Sequence, residues 1–413
     1  MFESEYIEIT KNFLKKLISY NYNLGPIVPL ILLFIFYLFY YQTSSYLVPF
    51  SSDTWEKQDL IYGSDTVTGF NLMKQFTFPE LRHFLFSALT SPVVNTIKLL
   101  FNISITYAIS IVTAMIATIN VVLAYYALNL FINDNKLVTL FSIFYGFLFS
   151  NLVFFSIPET YGLTNLAILL TFNCLIRLVK NNDHNWFILL ILAIILSSLL
   201  NPPTILLVIP SIFIFLNYYN LTRGMILSFL CVSTTLLVFV VSYVLAFGIN
   251  FYTYFAEFAN TWCPHSINNY LDIDKIINVF GSFVVLSVIS PSEKISNSMN
   301  FSQDFLNYFD STIGAYLILF YIVILGIFLY YIVKTRDIIR DSSLIFILFM
   351  ALFYLYLNPR EALLYSCQVL FPLTLVFADI TNRINFSNKY IFLIVFIIFM
   401  AIKNVSTLYH PIL

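Results

Sequence analysis

Charge is what this sequence has least of. Asp, Glu, Lys and Arg make up 10% of its 413 residues, against 60% apolar residues and a mean hydropathy of +0.87. A soluble domain carries about a quarter charged residues, so this chain cannot cover a water-facing surface. Cysteine is scarce as well. Cys174, Cys231, Cys263 and Cys367 are scattered, which excludes a disulfide framework and offers no metal-ligand spacing. Three of them fall inside apolar runs and read as small buried hydrophobes. Neither GxGxxG nor GxxxxGK[ST] occurs, so the common nucleotide-binding loops are missing. Internal repeats, low-complexity tracts and soluble appendages are missing too. The N-terminus does not read as a cleavable signal peptide. Glu3, Glu5 and Glu8 mix with Lys11, Lys15 and Lys16 ahead of an apolar run that outlasts an h-region and lacks a small-x-small site.

What the chain does have is a series of apolar stretches close to the length that crosses a bilayer. The fold class expected is all-α: a polytopic membrane protein of about eleven transmembrane helices. The spans are placed at 25–47, 102–132, 137–157, 160–179, 186–200, 203–219, 225–248, 312–333, 343–357, 362–381 and 389–408. Residues 1–24 form an N-terminal segment, expected to be cytoplasmic, and 25–413 a single transmembrane domain. With that orientation the short inner loops are basic, among them Lys136, Arg177, Lys180, Arg223, Lys334, Arg336, Arg340, Arg383 and Lys389, as the positive-inside rule requires. Splitting 97–132 into two spans would reverse every later loop, so it is kept as one span with an interfacial start. Two long outer loops remain, near 48–97 and 249–310. Within the second, residues 279–289 are apolar but too short to span. They are expected to lie on the membrane surface or dip into the protein.

The first outer loop gathers Asp53, Glu56, Asp59, Asp65, Glu80, Arg82 and His83 in a chain otherwise poor in charge. Pro79 suits the first turn of a helix, and Leu81, Phe84, Leu85, Ala88 and Leu89 follow one apolar stripe. Glu80, His83, Ser87 and Thr90 fall opposite, turned away from lipid. Val67, Phe70, Met73 and Phe76 make a weaker stripe before it. Short interfacial helices are therefore expected in this loop. Asp65 stands at the start of the earlier segment, as an N-cap or as a functional carboxylate. Asp53 follows the first span closely and is a solvated loop acid or a second reactive one. Arg82 and His83 suit an anion site, or snorkel to headgroups.

Other polar turns share the outer side. Glu159, in SIPETY, is an acid at a helix start, which capping also explains. Asn201 opens the Asn-Pro-Pro break that divides two short spans, as a plain turn or as the frame of a site. Arg360, in NPRE, is one of few outer basic groups. It suits a phosphate, a local ion pair or a headgroup. By topology these residues can share one outer cavity.

The motifs SDTVTGFNLM, RHFLFSAL, PETYGLTNL, SSLLNPP and NPREALLYS resemble those of the GT-C superfamily of polytopic glycosyltransferases, over roughly 25–220 and 355–375. Members often have His-Pro where this chain has His83-Phe84. The resemblance implies transfer of a sugar from a polyprenyl-phosphate carrier to a glycan, lipid or protein acceptor on the extracytoplasmic side. It implies Asp65 or Asp53 as general base. Arg82, His83 and Arg360 would hold the lipid phosphate, and Glu159 would orient a hydroxyl. No cofactor is required by the sequence; a divalent metal is compatible with paired carboxylates but no ligand spacing calls for one. Membrane lipids are expected partners and nucleic acid is not. The rival readings are a transporter or flippase for lipid-linked sugars, a polysaccharide polymerase or ligase, and a non-catalytic scaffold. Ionisable groups at mid-membrane would mark a transport path; the central parts of these spans are nearly free of charge.

Overall fold

The structure, a computed structural model, describes residues 27–51, 66–76, 83–181, 185–248, 272–290, 312–386 and 388–409, with 253 and 256 as isolated positions. Every regular element among them is helical. The chain opens with α1 (Ile27–Ser51), α2 (Thr66–Lys74), α3 (Phe86–Phe101), α4 (Ile105–Phe131), α5 (Asn135–Phe147), α6 (Phe149–Phe154), α7 (Tyr161–Asn181) and α8 (Trp186–Leu200). A 3-10 turn, Pro202–Leu207, leads into α9 (Val208–Tyr218), followed by α10 (Leu221–Phe247) and α11 (Ile273–Gly281). The last third holds α12 (Thr312–Lys334), α13 (Ile338–Leu357), α14 (Ala362–Ser366), α15 (Leu370–Arg383) and α16 (Lys389–Tyr409).

Local chemistry sets many of these ends. Side-chain oxygens of Ser104, Asp134, Asn220, Asp272 and Asp337 accept the first free N–H groups of α4, α5, α10, α11 and α13. Asn102 closes α3 in the left-handed region, φ 49°, and Gly248 closes α10 at φ 73°. The stretch 97–132 thus contains one long helix, α4, with a separate shorter helix before it.

Seven helical segments among the described residues are long and apolar enough to cross a membrane: Ile27–Pro49, Ile105–Phe131, Tyr161–Asn181, Leu221–Phe247, Ile338–Leu357, Ala362–Arg383 and Lys389–Tyr409. The chain is therefore built as a polytopic helical membrane protein. Shorter apolar helices stand where three more spans were expected: Trp186–Leu200, Pro202–Tyr218 and Leu319–Lys334. The expected span 137–157 is a broken helix and not a continuous one. Its helix breaks at Leu148, where ψ turns to 135°, and restarts as α6. The broken backbone is answered from a distance. Asn404 Nδ2 donates to Phe147 O (2.9 Å) and to Val288 O (2.8 Å), its Oδ1 accepts from Ser290 N (2.7 Å), and Ser150 N donates to Ser287 O (3.1 Å). Irregular backbone survives at membrane depth only when protein satisfies it in this way.

Ser287 and Val288 belong to residues 279–289, which dip into the protein: Val279, Phe283, Leu286, Val288 and Ile289 are all buried. The core runs along the Ala362–Arg383 segment, 94% of whose central window is buried, whereas the figure for Leu221–Phe247 is 17%. α4 packs on α1, α5 and α7; α13 packs on α15 and α9. Cys174, Cys231 and Cys367 are free and buried, as small hydrophobes; Cys263 lies outside the described residues.

The bundle has two polar ends, named here for Pro158 and for Arg340. Arg340 is another correction. Expected in a short basic inner loop, it lies in the first turn of α13 and is fully buried. Its guanidinium donates to Asp341 Oδ1 (2.7 Å from Nη2, 3.0 Å from Nε), Thr335 O (2.6 Å), Thr335 Oγ1 (2.7 Å) and Asp379 Oδ2 (3.4 Å). Asp379 also accepts from Arg383 Nε (2.8 Å), whose Nη2 reaches Asp337 Oδ2 (3.1 Å).

Candidate functional site at the Pro158 end

The turn 156–160 between α6 and α7 is buried throughout. Its Glu159 N donates to Ile157 O (2.8 Å), and Glu159 Oε2 accepts from Thr160 N (3.0 Å). The carboxylate therefore accepts from the residue just before α7. It is also 6% exposed and interacts electrostatically with Tyr161 and Cys367. A carboxylate held that far from water on an aromatic wall is unusual for a simple cap.

Helix α2 of the first loop lies directly on this turn. A Cβ at Gly69 would sit 1.7 Å from Pro158 O and 2.8 Å from Pro158 C. Only glycine permits that approach of two backbones. Thr66, Val67, Phe70 and Met73 are buried around it, which matches the expected stripe except at Phe76, which is exposed. α3 packs against α2, with Ser87 Oγ donating to Gln75 O (2.9 Å).

Of the helix expected from Pro79, residues 79–82 lie outside the described residues; its continuation is corrected, since residues 83–85 form a turn and α3 begins at Phe86. Ser87 and Thr90 face away from lipid as expected, because they join Phe86, Ser91 and Val94 on the face packed into protein, while Leu89 and Val93 are exposed. His83 stands in the turn before α3, its ring 6.4 Å from that of Phe86. The next residue, Phe84, docks on α10 against Tyr243 (5.2 Å) and Phe247 (6.3 Å).

The NPRE turn meets the same region from the other side. Asn278 Nδ2 donates to Pro359 O (2.6 Å), and Ser150 Oγ and Ser366 Oγ share a hydrogen bond of 2.7 Å. Tyr161 lies edge-on to Tyr365 (6.4 Å), which stacks on Tyr354 at 4.0 Å and 7°. Tyr365 OH donates to Glu361 Oε2 (2.8 Å), and Tyr354 OH to Gln368 Oε1 (3.3 Å). Phe172, further along α7, meets Phe371 at 6.1 Å. Asn165 falls between Tyr161 and Phe172 on one face of α7, so it faces the segment that carries Gln368. Both amide atoms of the fully buried Asn165 lack a hydrogen-bond partner, as do Gln368 Nε2, Ser156 Oγ and Thr160 Oγ1. Buried polar atoms are normally satisfied by protein or ordered water, so these groups can receive a polar ligand.

Asn201 holds the expected break. Its N donates to Ser197 O (2.8 Å), and its carbonyl accepts from Thr204 N (3.0 Å) and Thr204 Oγ1 (2.8 Å). These are the contacts of a helix terminus, and the 3-10 turn that follows packs on α7 and α13. Asp53, Asp65 and Arg82 lie outside the described residues, as does the side chain of Arg360, whose backbone forms the 3-10 turn Pro359–Glu361. Among the described residues no three of His, Cys, Asp and Glu gather as metal ligands.

The site therefore unites residues 66–70 of the first loop with the PETYGLTN and NPREALLYSCQ segments, hundreds of residues apart in places. Sequence reasoning singled out Glu159 but passed over Tyr161, Asn165, Tyr354, Tyr365 and Gln368. The usable signal was there: an asparagine and a glutamine inside apolar spans. Chemically, the set offers a buried carboxylate, stacked phenols and free amide groups, which suit a ligand rich in hydroxyls. Comparison with protein-family models finds no match, and comparison with curated proteins finds none.

Proposed function

We propose that this chain is a GT-C-like glycosyltransferase that moves a sugar from a polyprenyl-phosphate carrier to an acceptor hydroxyl. In this reading the chain crosses the membrane eleven times, with a cytoplasmic N-terminus and the Pro158 end outside the cytoplasm. Asp65, or else Asp53, takes the proton of the acceptor hydroxyl as its oxygen attacks the anomeric carbon. The bond from that carbon to the phosphate oxygen breaks, and the lipid phosphate leaves with the electron pair. Arg82, His83 and Arg360 stabilise its charge, and Glu159 and Asn165 hold sugar or acceptor hydroxyls.

One observation carries the proposal: the backbone contact of Gly69 with Pro158. It joins the first-loop motif to the PETY turn, which the tyrosine contacts then link to NPREALLYS. Charged side chains among the described residues lie near helix ends rather than mid-membrane, which favours surface chemistry over a transport path.

The test is reconstitution in vesicles with polyprenyl-phosphate-linked sugars, reading the release of polyprenyl phosphate. Asp65→Asn is expected to abolish release, by about a hundredfold or more, without loss of folded protein. Full activity in that variant would sink the base assignment. Movement of intact lipid-linked sugar across the bilayer, without cleavage, would replace the enzyme by a flippase.

A further inference from the structure

A second feature lies in the half of the bundle toward the Arg340 end. α5, α12, α15 and α16 enclose a cavity of about 390 Å³, walled by Phe144, Tyr321, Phe328, Phe377 and Phe396 among others, with Lys389 at one extremity. That volume falls within the range of small-ligand sites. The walls are apolar in practice, because the hydroxyl of Tyr321 is spent on Val284 O at 2.7 Å. Two further lining residues of α12, Val323 and Ile327, are also exposed on the outside of the bundle, at 59% and 43%. The cavity thus adjoins the lipid-facing surface at membrane depth, and what meets it there is hydrocarbon.

Its Lys389 extremity is basic. Lys389 Nζ lies 3.3–3.4 Å from the carbonyl oxygens of Thr381, Asn382 and Ile384. Lys136 and Lys389 approach the ring of Tyr390 at 5.7 and 5.5 Å. Neither lysine is ion-paired with a carboxylate among the described residues. The acids nearby are engaged: Asp134 caps α5 and accepts from Tyr390 OH (2.6 Å), and Asp379 is shared by Arg340 and Arg383. An apolar chamber at membrane depth, ending at a helix-end surface in two ammonium groups that have no carboxylate partner among the described residues, complements a lipid that carries a negative headgroup.

We infer that this cavity takes one acyl chain of an anionic glycerophospholipid, with the phosphate held at Lys389 and Lys136. The inference stands apart from the proposed transfer reaction. The full chain is reconstituted in vesicles of equal parts phosphatidylcholine and phosphatidylglycerol, extracted in detergent, and the lipid still bound is counted by native mass spectrometry. Phosphatidylglycerol is expected in preference to phosphatidylcholine. Lys389→Gln and Lys136→Gln should each lower its retention about fivefold, and Lys389→Arg should keep it. Ile324→Phe, which adds bulk to the cavity wall, should lower retention of both lipids at an unchanged melting temperature. Equal retention of the two lipids by the unaltered chain overturns the inference, and so does indifference to Ile324→Phe. Preferential retention of a polyprenyl phosphate added to the same vesicles overturns the assignment to a glycerophospholipid. Because Lys389 also caps the end of α15, Lys136→Gln keeps the test decisive if the Lys389 variant does not fold.

Discussion

At the Arg340 end a guanidinium is wholly buried, and its N–H groups are spent on Asp341, Thr335 and Asp379. At the Pro158 end the buried groups are mostly neutral, and several have no partner: both amide atoms of Asn165, Gln368 Nε2, Ser156 Oγ and Thr160 Oγ1. The first arrangement is closed. Arginine has five N–H donors, and a buried ion network is tolerated when all are answered. It ties the start of α13 to the end of α15 and leaves nothing to offer a ligand. The second arrangement is open. It costs stability with no structural return, which is the pattern expected where binding has been favoured over packing.

The largest expected effect comes from breaking the closed end. Arg340→Met takes the guanidinium from Asp341 and leaves Asp379 to Arg383 alone, and should cost about 3–5 kcal/mol, read as a lower midpoint of thermal unfolding in detergent. Activity per folded molecule should hold. An unchanged midpoint would show that the network does not fasten the helices.

Gly69→Ala probes the joint that makes the open end a site. The added methyl group meets Pro158 O and must push α2 away from the turn, at about 1–3 kcal/mol. The proposed sugar transfer should fall about a hundredfold, as displacement by an ångström can cause, with most of the unfolding transition retained. Activity equal to the parent would separate α2 from the site.

The smallest effect on stability belongs to Asn165→Leu. Removing a polar group that has no partner is near neutral, or stabilising by about 1 kcal/mol. Turnover should nevertheless drop. A variant that is both less stable and fully active would make Asn165 a structural residue and weaken the contrast between the two ends.

Much of the fold was legible in the chain. Long apolar runs announced the membrane helices, Asn201-Pro202-Pro203 announced a break, and the brevity of 279–289 left burial as one of its two readings. The break at Leu148 was not legible, since Gly146 alone does not break a helix and the partner Asn404 lies 257 residues beyond Phe147. Arg340 looked like any loop arginine, because nothing local reveals that Asp379 will stand beside it. At the site, Glu159 could be named from its turn, and capping could be named equally well. The tyrosines were hidden by their number: with 29 in the chain, no single one stands out until Tyr354, Tyr161 and Tyr365 are seen together.

By itself the sequence determined the solvent. With so little charge and such long apolar runs, most of this chain belongs in a bilayer, and its helices follow because backbone groups there must bond within the segment. Tertiary structure alone decided which helix is core and which faces lipid. Leu221–Phe247 has the higher hydropathy, 2.4 against 1.7 for Ala362–Arg383, yet it is the exposed one. A helix apolar all round has no stripe to mark its inward face. In lipid, burial is driven by packing and polar satisfaction rather than by escape from water. Those are the contacts that brought Gly69 to Pro158 and left Asn165 without a partner.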